Sequence, residues 1–196
     1  MKSTLICLLF LMACSSNAQL NPFSFGPLIT ANSTSMKSDP NSGTFNPQIG
    51  YGFGAFARLK ILFLYAEVDL DYMNRQCNNT LESGGSKAET TFNFGGLDAT
   101  GILGWRVVGI GPLGNFRLFA GYNYNNFSKL DIKVNGSSVS TKNFSTTNAG
   151  LVLGTGVDLW RFVFNFKYTI GLSDLNTLST QELKANTTSL ALGFRF

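Results

Sequence analysis

Three carboxylates, Glu67, Asp69 and Asp71, alternate with apolar residues within one short segment of the chain. Residues two apart share one face of an extended strand, so these side chains are expected to form a row. Such a row could carry general acid–base chemistry, and Asp69 with Asp71 could bind a cation at an open mouth. If the row is enclosed, we favour ion pairs with basic side chains, because buried charges need partners.

The chain has no histidine, which restricts its chemistry further. Ser-His-Asp catalysis, histidine-dependent acyl transfer and the usual histidine metal site all require that side chain. Cys77 is the only cysteine after residue 18, so we predict no disulfide framework and interpret it as a thiol in a loop. The net charge of +4 is small and dispersed and gives no basis for nucleic-acid binding. We therefore predict a protein that is not an enzyme and needs no cofactor or metal.

The last ten residues, TTSLALGFRF, indicate which structure would hold such a row of charges. Leu190, Leu192, Phe194 and Phe196 fall on one face of a strand, and small or polar residues take the other face. An outer-membrane β-barrel needs this arrangement, because one face of each strand meets lipid and the other faces the lumen. The pattern therefore predicts a strand that crosses the outer membrane.

Eight strands of this kind are predicted, and their connections alternate in length. The connections after the first, third, fifth and seventh strands are long and polar, whereas the others are short. Outer-membrane barrels show this pattern because their external loops are long and their periplasmic turns are short. We predict an all-β, eight-stranded antiparallel up-and-down transmembrane β-barrel. Its strands are placed at 22–31, 47–59, 62–73, 92–105, 115–127, 147–158, 161–173 and 188–196.

The two faces of these strands differ in bulk and charge. One face is rich in Phe and is too continuously apolar to face water. The other holds glycines and a few charges, which suits the narrow lumen of an eight-stranded barrel. A register change near Gly95 and Gly96 is expected to place the odd-numbered residues from Leu97 to Trp105 outside. The predicted lumen charge network is Arg58, Glu67, Asp69, Asp71, Asp158, Lys167 and Arg195.

Two tryptophans, Trp105 and Trp160, lie beside short predicted connections. Tryptophan is enriched where hydrocarbon meets polar headgroups, and the short turns of outer-membrane barrels face the periplasm. We therefore predict that both residues belong to a membrane-interface girdle and that outer-membrane lipid surrounds the barrel.

The first 18 residues are typical of a secretory signal peptide. Lys2 supplies a positive charge, residues 5–13 are apolar, and a small-residue cleavage site ends at Ala18. The apolar run is too short for a membrane-spanning helix. Alternatively, LMAC resembles a lipobox, which would make Cys14 a lipidated N-terminus. The predicted division is a signal peptide at 1–18 and a barrel domain at 19–196.

The chain resembles the small outer-membrane β-barrel proteins of Gram-negative bacteria, in particular the PorT-like and OmpX- or OmpA-like barrel domains. The resemblance rests on GYGFGAFARLKILFLYAEVDLDYM, NFRLFAGYNYNNF, GVDLWRFVFNFKYTIGLSDL and SLALGFRF. It implies insertion by the barrel-assembly machinery, which reads an aromatic C-terminal strand, and it implies no catalytic motif. The assembly signal would then be Leu190, Leu192, Phe194 and Phe196.

The predicted function is a structural or interaction role in the outer membrane, as a secretion accessory or through adhesion by external loops. The sequence does not identify a protein partner for those loops. Two alternatives remain, which are a soluble secreted barrel that carries an apolar ligand and a narrow channel. Outer-membrane fractionation, with a gel-mobility shift on boiling, would separate a membrane barrel from a soluble carrier.

Overall fold

The computed structural model describes residues 22–37, 44–83, 86–109, 114–134, 137–139, 147–173 and 184–196. The predicted signal peptide, its cleavage site and Cys14 lie outside these residues. Across the described ranges, no helix is long and apolar enough to span a membrane. The strands are β1 (Phe23–Lys37), β2 (Thr44–Pro47), β3 (Ile49–Ile61), β4 (Leu64–Ser83), β5 (Ser86–Gly109), β6 (Gly114–Val134), β7 (Ser137–Val139), β8 (Thr147–Leu159), β9 (Phe162–Gly171) and β10 (Lys184–Phe194).

Eight of these strands form a closed antiparallel barrel. The order is β1, β3, β4, β5, β6, β8, β9 and β10, and each pairs with the next along the chain. The first and last strands close the barrel in a register that runs from Leu28↔Gly193 to Lys37↔Lys184. The predicted eight-stranded up-and-down barrel is therefore confirmed.

Three strands are much longer than the sequence pattern predicted. β4 continues to Ser83 instead of ending at 73, β5 begins at Ser86 instead of 92, and β6 continues to Val134 instead of 127. The polar segments predicted as long loops after the third and fifth strands are therefore largely strand. The prediction required an apolar outer face, but a strand outside lipid needs only backbone pairing to persist.

These extra residues form what we call the sheet extension, made of β2, residues 74–83 of β4, 86–95 of β5, 127–134 of β6, and β7. β2 pairs with β4 from Thr44↔Thr80 to Pro47↔Cys77. At the other side β7 pairs with the end of β6. Cys77, interpreted above as a loop residue, is instead buried in β4.

Large apolar side chains cover the outside of the barrel, as the alternation predicted. The even-numbered residues of β9 from Phe162 to Ile170 point outward, and their odd-numbered neighbours point inward. The expected register change is present, because Gly95 pairs with Lys129 and Gly96 with Phe127. The bulged residue is therefore Ser128 of β6, and the alternation of β5 continues unchanged through Gly95 and Gly96. A second register shift lies between Arg106 and Val108 of β5.

The interior is filled by large side chains that lie over glycines on the neighbouring strand. Tyr65 pairs in register with Gly104, and Phe119 pairs with Gly154. A Cβ atom at either glycine would overlap the facing aromatic ring. Glycine on the inner face is therefore a packing requirement of a narrow lumen, which has room for only one large side chain at each such pair.

The two short turns described by the structure lie at the barrel end that we call the turn end. They comprise residues 62–63 and 160–161, and Phe196 reaches the same end, where its N–H donates a 2.9 Å hydrogen bond to the Phe25 carbonyl. Leu62 has φ 56° and Trp160 has φ 53°, in the left-handed region that favours glycine. Such a conformation costs about 1–2 kcal/mol for a residue that bears a Cβ.

Candidate functional site

The half of the lumen nearest the turn end holds an ion-pair cluster centred on Arg58. Its guanidinium pairs with Glu67 on the neighbouring β4 and with Asp158 across the lumen, where Nη1 lies 2.9 Å from Oδ2. Asp158 also pairs with Arg117, whose Nη2 lies 2.9 Å from Oδ1 of Asp158. All four side chains are buried. The cluster therefore connects β3, β4, β6 and β8 through the interior.

Tyr65 and Asn165 orient the two arginines of this cluster. Arg117 donates from Nη1 to the Tyr65 hydroxyl at 3.0 Å and from Nη2 to the Asn165 amide oxygen at 2.7 Å. Both guanidinium groups lie over the Tyr65 ring, at 5.0 Å for Arg58 and 5.3 Å for Arg117. Gly156 faces Arg117 in register, and a side chain there would meet the guanidinium.

A second cluster lies deeper in the lumen and is centred on Lys167. Its Nζ lies 3.1 Å from Oδ2 of Asp69 and 3.7 Å from Oδ2 of Asp71. All three side chains are buried, so Asp71 does not reach an open mouth. The suggested cation site at the two aspartates is therefore wrong, because the Lys167 ammonium takes the place of the cation.

A third cluster lies toward the sheet extension and joins Arg75 of β4 to Asp98 of β5. The side-chain amides of Asn123 and Asn125 both donate to Asp98, and Asn123 also donates to the Thr100 hydroxyl at 2.8 Å. These residues are buried. Asp98 therefore has a cation and two amide donors, which compensate the loss of water around a buried carboxylate.

Arg195 stands apart from the other predicted network residues. It follows β10 at the turn end, and its side chain is 22% exposed. Its Nη1 lies 3.7 Å from Oδ2 of Asp158, and its Nη2 donates to the Trp160 carbonyl. The sequence placed Arg195 within the lumen network, and the structure places it at the mouth, where it reaches Asp158 from the end of the lumen.

Three network residues, Arg75, Asp98 and Arg117, were absent from the sequence prediction. Arg75 lies beyond the predicted end of its strand at 73. Asp98 and Arg117 lie on strands that were predicted, and the alternation of those strands would have placed both on the inner face. The alternation of inward and outward residues could therefore have identified Asp98 and Arg117, but not Arg75.

Buried side chains occupy much of the described part of the lumen. A cavity of about 20 Å³ lies beside Arg75, Phe94 and Phe127, which is room for about one water molecule. Closer to the turn end, the interior is packed with Tyr65 and Phe119. A lumen filled by side chains is expected for a barrel of eight strands.

Comparison with known proteins identifies the kind of barrel. The sequence profile of the family described as outer membrane protein beta-barrel domain matches residues 5–196. The chain belongs to this family. It is therefore an integral outer-membrane β-barrel, and the soluble-carrier alternative is not retained. No curated protein matches the chain.

Solved structures of outer-membrane barrels are similar to this one at low sequence identity. Neisserial surface protein A is 18% identical with a TM-score of 0.50, and the match covers 90% of this chain and 98% of that one. Ail of Yersinia pestis is 16% identical with a TM-score of 0.45 and coverages of 90% and 100%. LpxR from Salmonella typhimurium is 10% identical with a TM-score of 0.36 and coverages of 87% and 99%. The first of these shows a shared fold and nothing about activity.

The two tryptophans of this outer-membrane barrel point outward near the turn end. Trp105 is 52% exposed and pairs with Leu64, the first residue after a short turn. Trp160 is 67% exposed and lies in the turn between β8 and β9. Both positions suit the predicted interface girdle, whose role stays a prediction.

The C-terminal residues of the predicted assembly signal share the outward face. Leu190 and Leu192 are exposed on β10, and Phe194 packs edge-to-face against Phe162 at 5.6 Å between ring centroids. Phe196 lies two residues beyond β10, where its ring is 5.2 Å from that of Phe194. The four side chains therefore form one continuous apolar stripe on the outer surface. Its recognition by the assembly machinery stays a prediction.

Reconstituted into planar bilayers, the barrel is expected to give no stable conductance steps. The reason is that the three ion-pair clusters and the aromatic residues fill the lumen. A porin reconstituted by the same protocol is the positive control. Steps that require the protein and are absent from empty bilayers would show that the lumen opens and would favour the channel alternative.

Proposed function

We propose that this outer-membrane barrel is a non-enzymatic interaction protein that presents the sheet extension to a protein partner outside the cell. The observation that carries the proposal is the length of three strands. β4, β5 and β6 have 20, 24 and 21 residues, whereas β9 has 10 and β10 has 11. A strand of about 9–11 residues already spans the bilayer.

The excess length gives the extension a substantial reach. In the extension, β4 and β5 are paired over 10 residues each, from Asn74↔Gly95 to Ser83↔Ser86. At about 3.3 Å per residue, the extension projects roughly 30 Å from the barrel. Long connections of outer-membrane barrels are external, which supports an external position for the extension.

The edges of the extension are suited to contact with another protein. Among the described residues, β7 pairs with β6 alone, whereas β2 pairs with β4 and has β1 close to its other side. Edge strands leave backbone donors and acceptors on one side, which can pair with an added strand. Pro47 at the end of β2 lacks a donor and limits such pairing to a short stretch.

The interior supports a role without catalysis. Each carboxylate of the predicted row, Glu67, Asp69 and Asp71, has a basic partner within the lumen. The chain has no histidine that could act as a base. The ion pairs are better suited to hold the strands together than to transfer protons, because their partners and burial keep them from any substrate.

Two further partners belong to this proposal. Outer-membrane lipid would contact the outward apolar face, and the barrel-assembly machinery would bind the outward apolar side chains of β10 during insertion. No nucleic-acid partner is proposed, since the charge of +4 is small for that role.

A shortened hairpin separates the interaction role from a purely structural one. In the register, Arg75 pairs with Phe94, so residues 76–93 can be replaced by Asn-Gly, which forms a two-residue hairpin turn. Cells producing the full barrel are expected to settle together and to adhere to cultured epithelial cells more than cells producing the shortened barrel. Boiled and unboiled gels of the outer membrane would verify equal amounts of folded protein.

Envelope permeability to a large antibiotic tests the structural role. It is measured in a strain that lacks the protein and in the same strain producing the full or the shortened barrel. If both forms restore the permeability barrier equally and neither changes adhesion, the role is structural and the interaction proposal is wrong. If only the full barrel promotes adhesion, the sheet extension carries the function.

A further inference from the structure

Four cationic residues lie at the turn end, where backbone hydrogen bonds fix the chain beside them and join two of them, Arg161 and Arg195, directly. The N–H of Lys60 donates to the Pro22 carbonyl at 2.6 Å, and the N–H of Arg106 donates to the Phe63 carbonyl at 2.8 Å. The N–H of Arg195 donates to the carbonyl of Arg161 at 2.7 Å. Lys60, Arg106, Arg161 and Arg195 come from four different parts of the chain, and we call them the turn-end cations.

The turn-end cations have too little negative charge around them. Lys60 is repelled by Arg195, Arg58 and Arg106, and Arg195 is repelled by Arg58, Arg117 and Arg161. The carboxylate that attracts Lys60 and Arg195 is Asp158.

That carboxylate is already engaged within the lumen. Asp158 accepts Arg58 and Arg117, each at 2.9 Å, whereas Arg195 is at 3.7 Å. Glu67, the other acidic residue in this half of the described lumen, pairs with Arg58. A bound anion would complete the charge balance.

One of the cations also has an unused donor. The Nε atom of Arg106 is buried and has no hydrogen-bond partner. A buried donor without an acceptor is destabilising, and an oxyanion would satisfy it. An anion bound beside Arg106 would supply the missing acceptor.

A rim of large apolar side chains lies at the turn tips, in contact with one of these cations, Arg161. Leu62, Phe63 and Trp160 are 79%, 57% and 67% exposed at the turn tips. Arg161 lies over the Trp160 ring at 5.6 Å and over the Phe194 ring at 6.0 Å. The rim is continuous with the outward apolar face of the barrel, which contacts lipid.

The backbone conformation of the rim fixes two of its side chains at the turn tips. Leu62 and Trp160 both adopt positive φ, as the first residue of a primed two-residue hairpin turn must. The turns therefore hold both side chains exposed at the end of the barrel.

We propose that the turn end binds anionic phospholipid in the leaflet that faces the periplasm, with the turn-end cations taking the phosphate and the apolar rim lying among the upper acyl chains. A phospholipid carries both groups in one molecule, so it matches the neighbouring cations and apolar residues. Aromatic and basic side chains together anchor proteins at the level of lipid headgroups. A soluble phosphate would use the cations but would leave the apolar rim in water.

Lipid retention by the folded barrel tests the proposal. The full mature barrel, refolded in a neutral detergent, is titrated with phosphatidylglycerol or phosphatidylcholine and examined by native mass spectrometry. Phosphatidylglycerol is expected to bind about tenfold more tightly than phosphatidylcholine, since each basic residue near a lipid phosphate contributes to the affinity. The double variant Lys60→Gln, Arg161→Gln is expected to lose that preference.

Matched variants separate the cations from the rim. Lys184→Gln removes one positive charge at the opposite end of β10 and is expected to keep the preference. Trp160→Gly removes the aromatic ring and relaxes the backbone, so it should weaken binding of both lipids without lowering the midpoint of the heat-induced gel shift. The same gel shift verifies that each variant is folded.

Three results would overturn the proposal. Equal retention of the two lipids by the unchanged barrel would mean that the cations do not select an anionic headgroup. Displacement of phosphatidylglycerol by inorganic phosphate at the same concentration would mean a site for free phosphate instead of lipid. Loss of the preference in Lys184→Gln as well would mean that only net charge matters.

Discussion

Replacing Arg58 with methionine is expected to lower the free energy of unfolding by about 3–5 kcal/mol, which is the usual effect of removing one partner from a buried ion pair. The guanidinium is 1% exposed and pairs with Glu67 and with Asp158. Asp158 would keep Arg117, but Glu67 would lose its ion-pair partner in a lumen without bulk water. Urea unfolding of the refolded barrel in phospholipid vesicles, followed by tryptophan fluorescence, measures this change.

A double variant distinguishes the loss of an ion pair from the loss of packing. Arg58→Met combined with Glu67→Gln removes the unpaired carboxylate, so it should recover at least half of the stability lost in the single variant. If the single variant costs less than about 1 kcal/mol, the pair behaves like one in water, and the lumen is not the closed interior described above.

Replacing Leu153 with arginine is expected to lower the free energy of unfolding by about 2–4 kcal/mol, as for a basic residue on the lipid face at the bilayer midplane. Leu153 lies at the middle of β8 and is 53% exposed on the outside of the barrel. It pairs with Ala120 and Tyr168, whose side chains also point outward. The guanidinium would therefore enter hydrocarbon with no acidic partner beside it.

The same substitution at the turn end is the matched control. Leu62 lies in a short turn, and near the interface an arginine costs only about 0–1 kcal/mol. Unfolding in vesicles and the amount of folded protein in the outer membrane should both change for Leu153→Arg and change little for Leu62→Arg. Equal stability of the two variants would mean that the outward face of β8 is not embedded in lipid.

Alternation was sufficient to predict the barrel wall. In β9, residues from Phe162 to Ile170 alternate outward and inward as the sequence pattern indicates. The pattern is reliable here because hydrocarbon penalises every polar side chain on one face, and the narrow lumen limits bulk on the other. The strand count, the up-and-down order and the inward position of Glu67, Asp69 and Lys167 could therefore be predicted from the residues alone.

Outside the membrane, the alternation of apolar and polar residues no longer indicates which residues form a strand. The segment from Asn74 to Ser83 is polar and resembles a loop, yet it continues β4 by backbone pairing with β5. Backbone hydrogen bonds are available to any residue except proline, so polarity on its own does not end a strand. The sheet extension, on which the proposed function depends, was for this reason not predicted.

The sequence by itself determined the class of fold, the direction in which most side chains point and the presence of an enclosed row of charges, because each follows from a period of two along the chain. Only the tertiary structure decided which charges meet. Arg58 and Asp158 are 100 residues apart in sequence and join strands on opposite sides of the lumen. It also decided that Arg195 meets Arg161 at the turn end, where its N–H donates to the Arg161 carbonyl. Such pairings depend on barrel closure and on register between distant strands, which local alternation does not encode.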